Sequence, residues 1–219
     1  MTRTELARML DHSVLKPEAT EHDILAGAGV VREWHVGYYC VQPCWVRTAV
    51  RSLGETDATV VAVVAFPHGT DTPELKARAA ATAVADGARE IDMVQNIGAL
   101  RSGAAAQVEA DIAAVVRAVP GLAVKVILET AVLSDDEIRR ACRLARDAGA
   151  AFVKTSTGFH VAGGATTTAV RLMRAEVGPG FGVKASGGIR TLAEAVAMID
   201  AGANRIGTSA SAMLLAGLD

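Results

Sequence analysis

The sequence predicts a single α/β domain, residues 1–219, folded as a (β/α)8 TIM barrel with a short N-terminal helix. Three observations predict it. Short β-branched runs alternate with Ala-rich stretches of helical spacing along the chain. From the second strand onward, strand starts recur at intervals of roughly 22–33 residues, one strand plus one crossover helix each. Neither G-x-G-x-x-G nor G-x-x-x-x-G-K-[ST] is present, although an open doubly wound sheet usually carries such a loop after its first strand. Eight such units in 219 residues close a barrel.

The elements follow in order. A short first strand is expected at 10–13, then a helix over 21–34. Strands at 36–42, 59–66, 90–96, 123–129, 152–156, 182–186 and 205–208 carry the β-branched runs. Helices are expected over 44–53, 73–86, 104–119, 135–148, 166–176 and 192–200, and at the end of the chain. Ser134 reads as an N-cap, with Asp135, Asp136 and Glu137 favourably placed in the first turn. Thr191 with Glu194 reads as a capping box. Gly87, Gly121, Gly149 and Gly202 stand where helices end, because glycine tolerates the left-handed conformation found there.

Composition narrows the function. The chain is 51% hydrophobic and 21% charged, so it buries a large core. Its net charge is −2 and no basic block stands out, which argues against nucleic acid and anionic membranes as partners. The longest strongly apolar runs are near eight residues, whereas a spanning helix needs about 20. The N-terminus lacks the apolar core of a signal peptide, so a cytoplasmic location is expected. Cys40, Cys44 and Cys142 are too few and too irregular for a disulfide framework and read as buried free thiols. The five scattered histidines form no metal motif, so no metal or other cofactor is expected. The expected assembly is a homo-oligomer, a dimer first.

Strands of a parallel sheet are covered on both faces and should be apolar throughout. Here three carry a charge in mid-strand: Asp92, Lys154 and Lys184. A fourth carries Lys125 at its start and Glu129 at its end. Side chains alternate along a strand, so if their apolar neighbours face the helices, Asp92, Lys125, Lys154 and Lys184 face the barrel axis. Burying several unpaired ammonium groups together is costly. A static network, with Glu90, Asp92 and Glu129 neutralising the lysines, explains Lys125. It does not explain two lysines at matching places on neighbouring strands.

Imine chemistry does. A lysine with its ordinary pKa is only about 0.04% neutral at pH 7, and only the neutral amine attacks a carbonyl. Lowering that pKa to about 7 takes roughly 4.6 kcal/mol. A second ammonium about 5 Å away supplies roughly 3.3 kcal/mol at an effective dielectric of about 20, and desolvation supplies the rest. A lysine pair therefore makes one nucleophile, without deciding which lysine attacks. Asp92 is the best-placed acid–base group, directly or through one water, and Lys125 holds it ionised and oriented.

Three small-residue turns, at 155–158, 185–188 and 207–209, follow late strands. Barrel sites lie at the C-terminal strand ends, often with a phosphate by the last loops. Glycines let backbone N–H groups approach such an anion, and Arg190 either adds charge there or lies on the helix surface.

At this point the chain resembles the 2-deoxyribose-5-phosphate aldolase family. The segments that carry the resemblance are LDHSVLKPEAT at 10–20, CVQPCWV at 40–46, FPHG at 66–69, EIDMVQNIG at 90–98, KVILET at 125–130, FVKTSTGF at 152–159, VKASGGIR at 183–190 and RIGTS at 205–209. The resemblance implies a class I aldolase in which Lys154 forms the Schiff base, Lys184 tunes it and Asp92 relays protons beside Lys125. It implies that Gly158, Gly187, Gly188, Gly207 and Ser209 bind phosphate. It also implies that Asp11 and Thr155 face substrate hydroxyls. The implied substrates are a phosphorylated sugar and aldehydes. Gln95, Ala65, Ser13, Phe159, His160 and Val161 depart from the family pattern and leave the three chemical residues intact. The chain stops soon after its last short helix, so no C-terminal tyrosine tail is expected over the site. The alternatives are a Schiff-base aldolase for another phosphorylated sugar and a non-catalytic barrel that binds phosphorylated metabolites.

Overall fold

Strand β1 (Leu10–Val14) and strand β8 (Arg205–Thr208) pair in parallel and close a ring, Asp11 lying opposite Gly207. Between them run β2 (Tyr38–Val41), β3 (Thr59–Val64), β4 (Glu90–Val94), β5 (Ala123–Ile127), β6 (Phe152–Lys154) and β7 (Gly182–Ser186). Every neighbouring pair is parallel, and the strands follow one another round the barrel in chain order. The structure, a computed structural model, describes residues 1–218.

A helix α1 (Arg3–Met9) precedes the barrel, as expected, and Thr2 caps it in a capping box. The crossovers are α2 (Glu21–Glu33), α3 (Val46–Leu53), α4 (Pro73–Ala85), the pair α5 (Ile97–Arg101) and α6 (Ala105–Ala118), α7 (Asp135–Asp147), α8 (Thr167–Val177) and α9 (Leu192–Asp200). A last helix, α10 (Ser211–Ala216), follows β8. The N-cap expected at Ser134 and the capping box expected at Thr191 both form, and Ser134 closes a box with Glu137 as well. Gly87, Gly121, Gly149 and Gly202 all take positive φ just past a helix, which is why the chain can turn there into the next strand.

Alternation sorts the strand side chains. Ile91, Met93, Val124, Val126, Val153, Val183 and Ile206 pack outward against the helices in the main core. Inside, Leu15, Cys40, Val61 and Val63 form a separate apolar cluster. The barrel interior is therefore apolar on the β2–β3 side, while Asp92, Lys125, Lys154 and Lys184 lie buried on β4 to β7. Outside the barrel, buried Lys76 of α4 donates to Val94 O at 2.9 Å and to Asp111 Oδ2 at 2.6 Å. That pair ties α4 and α6 to the end of β4.

Three details differ from the sequence expectation. Most strands are shorter than expected, ending for example at Val64, Val94, Ile127 and Lys154. α5 was not expected; it starts where the Asn96 side chain accepts the Ala99 N–H at 3.0 Å. Cys44 is exposed rather than buried, because it lies in the 3-10 turn Pro43–Trp45 that precedes α3.

Candidate active site

The strand register brings the charged side chains together. Asp92 pairs in register with Lys125, and Lys154 with Lys184. Asp92 is the hub and is fully buried. Its Oδ1 accepts from Lys125 Nζ at 2.9 Å. Its Oδ2 accepts from Lys154 Nζ at 2.8 Å and from Lys184 Nζ at 2.7 Å. Lys184 also donates to Asp11 Oδ2. Below the hub, Lys125 reaches Glu90 Oε2 at 2.5 Å, and Arg205 reaches the same oxygen at 3.2 Å. The Arg205 guanidinium lies 3.2 Å from the centre of the Tyr38 ring and 5.3 Å from that of Phe152. These groups fill the barrel floor.

The network sets the protonation states. Burial alone pushes the Asp92 carboxyl up, but the ammonium groups of Lys125, Lys154 and Lys184 outweigh it. Asp92 is held well below the usual carboxylate range. Burial works against charge on Lys184, but Asp11 and Asp92 outweigh that and raise its pKa above the ordinary lysine value. Lys184 is thus a fixed cation clamped by two carboxylates. Lys154 has only a share of one carboxylate oxygen. The pair that looks symmetrical in sequence is unsymmetrical in space: among the described residues Lys184 meets two carboxylates and Lys154 one.

A cavity of about 780 Å3 opens above the hub at the C-terminal ends of the strands. Lys154, Lys184 and Asp11 line it, while Asp92 and Lys125 lie beneath. Gly158, Gly187, Gly188, Gly207 and Ser209 all line the same cavity, so the phosphate-type turns and the lysines share one space. Arg190 is exposed and also lines it. Two glycines have visible steric reasons. A Cβ on Gly207 would stand 3.1 Å from Lys184 Cε and 2.9 Å from Ser186 Cβ. A Cβ on Gly187 would stand 3.1–3.2 Å from the Cα atoms of Gly164 and Gly158. Phe66 and Phe159 meet edge to face at 5.2 Å, and Phe159 adds an apolar edge to the cavity.

Thr155 does not join this site. It is fully buried, its hydroxyl donates to Ser186 O and accepts from Ser186 N, both at 3.0 Å, and it fastens the end of β6 to β7. Glu129 does not neutralise Lys125 either; that lysine takes Glu90 and Asp92. Cys40 lines the cavity, and burial pushes its thiol up to about 12, so it stays protonated.

Residue reasoning missed His12 and Thr157. His12 lines the cavity, and its Nδ1 lies 3.0 Å from Ser211 Oγ at the start of α10. Burial pulls its pKa down to about 4, so its ring is neutral at pH 7. Its place next to Asp11 in β1 was the available signal. Thr157 lies between Lys154 and Gly158, and that position pointed to it.

The comparisons with known proteins bear on the family and the fold. A family model described as DeoC/LacD family aldolase matches residues 2–216. A deoxyribose-phosphate aldolase of Enterococcus faecalis is 52% identical over 214 residues, covering 97% of each chain. One from Corynebacterium diphtheriae is 52% identical over 218 residues, covering 98% of this chain and 97% of its own. The solved structure of the Aeropyrum pernix deoxyribose phosphate aldolase, described as tetrameric, superposes with a TM-score of 0.91 at 30% identity. That match covers 99% of this chain and 92% of the other.

Proposed function

The chain belongs to the DeoC/LacD family of aldolases, and on that premise we propose that residues 1–219 act as one barrel domain that forms a Schiff base at Lys154. The protein is a class I aldolase that reversibly cleaves 2-deoxy-D-ribose 5-phosphate to acetaldehyde and D-glyceraldehyde 3-phosphate. The neutral Lys154 amine adds to the aldehyde carbon C1, and loss of water gives an iminium ion. A base takes the proton of the C3 hydroxyl, the C2–C3 bond breaks, and its electron pair flows to the imine nitrogen as an enamine. Glyceraldehyde 3-phosphate leaves. The enamine takes a proton at C2, and water hydrolyses the iminium to release acetaldehyde and restore the amine.

Asp92 relays these protons, directly or through one water, because it touches Lys154 and is held ionised. Lys184 remains a cation beside the reacting nitrogen and favours the neutral amine over the ammonium. Asp11 reaches the cavity from β1 and accepts from a sugar hydroxyl. Gly158, Gly187, Gly188, Gly207 and Ser209 seat the phosphate, with Arg190 at the rim. The enzyme works in the cytoplasm as a homodimer, without metal or other cofactor. Among the described residues no helix is long and apolar enough to cross a membrane.

The observation that carries this reading is the shared oxygen: Lys154 and Lys184 both donate to Asp92 Oδ2 at the base of one cavity. The test is borohydride reduction in the presence of acetaldehyde, followed by peptide mass spectrometry. A mass increase on Lys154 is expected, with activity unchanged by EDTA. A label elsewhere, or no label, overturns the mechanism.

A further inference from the structure

Glu129 follows β5 and plays no part in the lysine network. Its backbone is left-handed, with φ 60° and ψ 58°, a conformation that a residue with a Cβ enters only at a cost. Such outliers persist where surrounding structure fixes them, and they gather at functional sites. Its side chain is 1% exposed.

Its carboxylate points across to the loop after β6. There Thr157 Oγ1 donates to Glu129 Oε2 at 2.5 Å. The Thr157 N–H is shared between Oε1 at 3.3 Å and Oε2 at 3.4 Å. Thr157 Oγ1 in turn accepts the Phe159 N–H at 3.1 Å. The two ends of the span meet a second time, where the Thr130 N–H donates to Thr155 O at 2.9 Å. Two donors converge on one carboxylate, and a carboxylate offers acceptors to both. An amide turned to keep one of these bonds would bring its own N–H groups close to the other donor.

The clamped residue is next to Gly158, and Gly158 is packed against the second glycine turn. A Cβ on Gly158 would stand 3.4 Å from Gly187 Cα. Moving Thr157 by a fraction of an ångström therefore changes the spacing of two backbone segments that line the cavity.

We propose that Glu129 is a positioning residue for the phosphate end of the site. It acts through Thr157, holding Gly158 at the distance from Gly187 that a phosphate monoester requires. The inference rests on the aldolase reading above and adds to it a determinant of selectivity for phosphorylated over unphosphorylated sugar.

The test compares kcat/KM for 2-deoxyribose 5-phosphate and for 2-deoxyribose, in the full chain, for wild type, Glu129→Gln, Thr157→Val and Thr157→Ser. Glu129→Gln and Thr157→Val are expected to lower the phosphorylated-to-unphosphorylated ratio by about tenfold, mainly through KM of the phosphorylated sugar. Inhibition by inorganic phosphate should weaken by a similar factor. Thr157→Ser keeps the hydroxyl and is expected to retain the wild-type ratio. An equal loss on both sugars, or an unchanged ratio, overturns the proposal. Should Glu129→Gln fail to fold, Thr157→Val and Thr157→Ser decide the question. The borohydride trap with acetaldehyde needs no phosphate. A wild type that traps on Lys154 but gives unchanged ratios in the variants sinks this inference alone, whereas a wild type that does not trap sinks the aldolase mechanism.

Discussion

Lys154 and Lys184 donate to one oxygen, Asp92 Oδ2, at 2.8 and 2.7 Å, yet they are not equivalent. Lys184 has a second carboxylate, Asp11, and among the described residues Lys154 does not. In the proposed mechanism this asymmetry separates a nucleophile from the cation that serves it.

Removing the cation leaves Asp11 stranded. Among the described residues its Oδ1 already has no hydrogen-bond partner, and Lys184→Met takes away the partner of Oδ2. The variant is expected to lose about 3–5 kcal/mol of stability in urea unfolding and at least about 100-fold in kcat. Adding Asp11→Asn should recover much of the stability and none of the rate. Recovery of both would show that Lys184 is structural only.

The Asp92 pKa is depressed in the folded state, so its contribution to stability is fully present above the unfolded value of about 3.9 and is lost as pH falls through the folded value. The Lys184 pKa is raised, so its contribution is fully present below about 10.4 and is lost at higher pH. Between about pH 5 and 9 these two groups add no slope. Urea midpoints measured against pH should show a steep acid limb below about pH 4, and Asp92→Asn should flatten it.

His12 works in a different window. Its folded pKa of about 4 lies below the ordinary value, so the unfolded chain binds the proton first. Stability from this group is present above about pH 6.5 and drains away as pH falls toward 4, by roughly 3 kcal/mol. His12→Gln should remove that slope from the urea midpoints and leave the acid limb of Asp92 in place. An unchanged slope would mean that His12 titrates normally.

Gly207→Ala would set a Cβ 3.1 Å from Lys184 Cε and 2.9 Å from Ser186 Cβ. The lysine must shift, and displacement near the reacting atoms by even about 1 Å costs on the order of 100-fold. A kcat loss of that order is expected with an unchanged far-ultraviolet circular dichroism spectrum. Normal kcat would show that Lys184 has slack.

Charges in mid-strand made most of the catalytic centre legible, because a parallel barrel gives a side chain only two faces and Ile91, Met93 and Val153 claim the outer one. Alternation stops being informative where strands stop. Thr155 is the first residue after β6, and its hydroxyl is taken up by Ser186. In sequence Glu129 offers Lys125 a neutralising partner, but its left-handed backbone sends the carboxylate to Thr157. A sign change in φ leaves no trace in residue type here. The asymmetry of the lysines was hidden as well, since it depends on Asp11, more than a hundred residues away in sequence.

Under the proposed mechanism the filled floor fixes an order of events. Lys125, Glu90 and Arg205 occupy the base of the barrel, and Lys154 stands at the bottom of a cavity whose rim carries the glycine turns. The two-carbon fragment is tethered at depth while the phosphorylated fragment sits nearer the exit. Cleavage must therefore release the three-carbon product first and acetaldehyde second. In synthesis the small aldehyde has to enter and become tethered before its partner arrives, so the reverse reaction follows a compulsory sequence of binding.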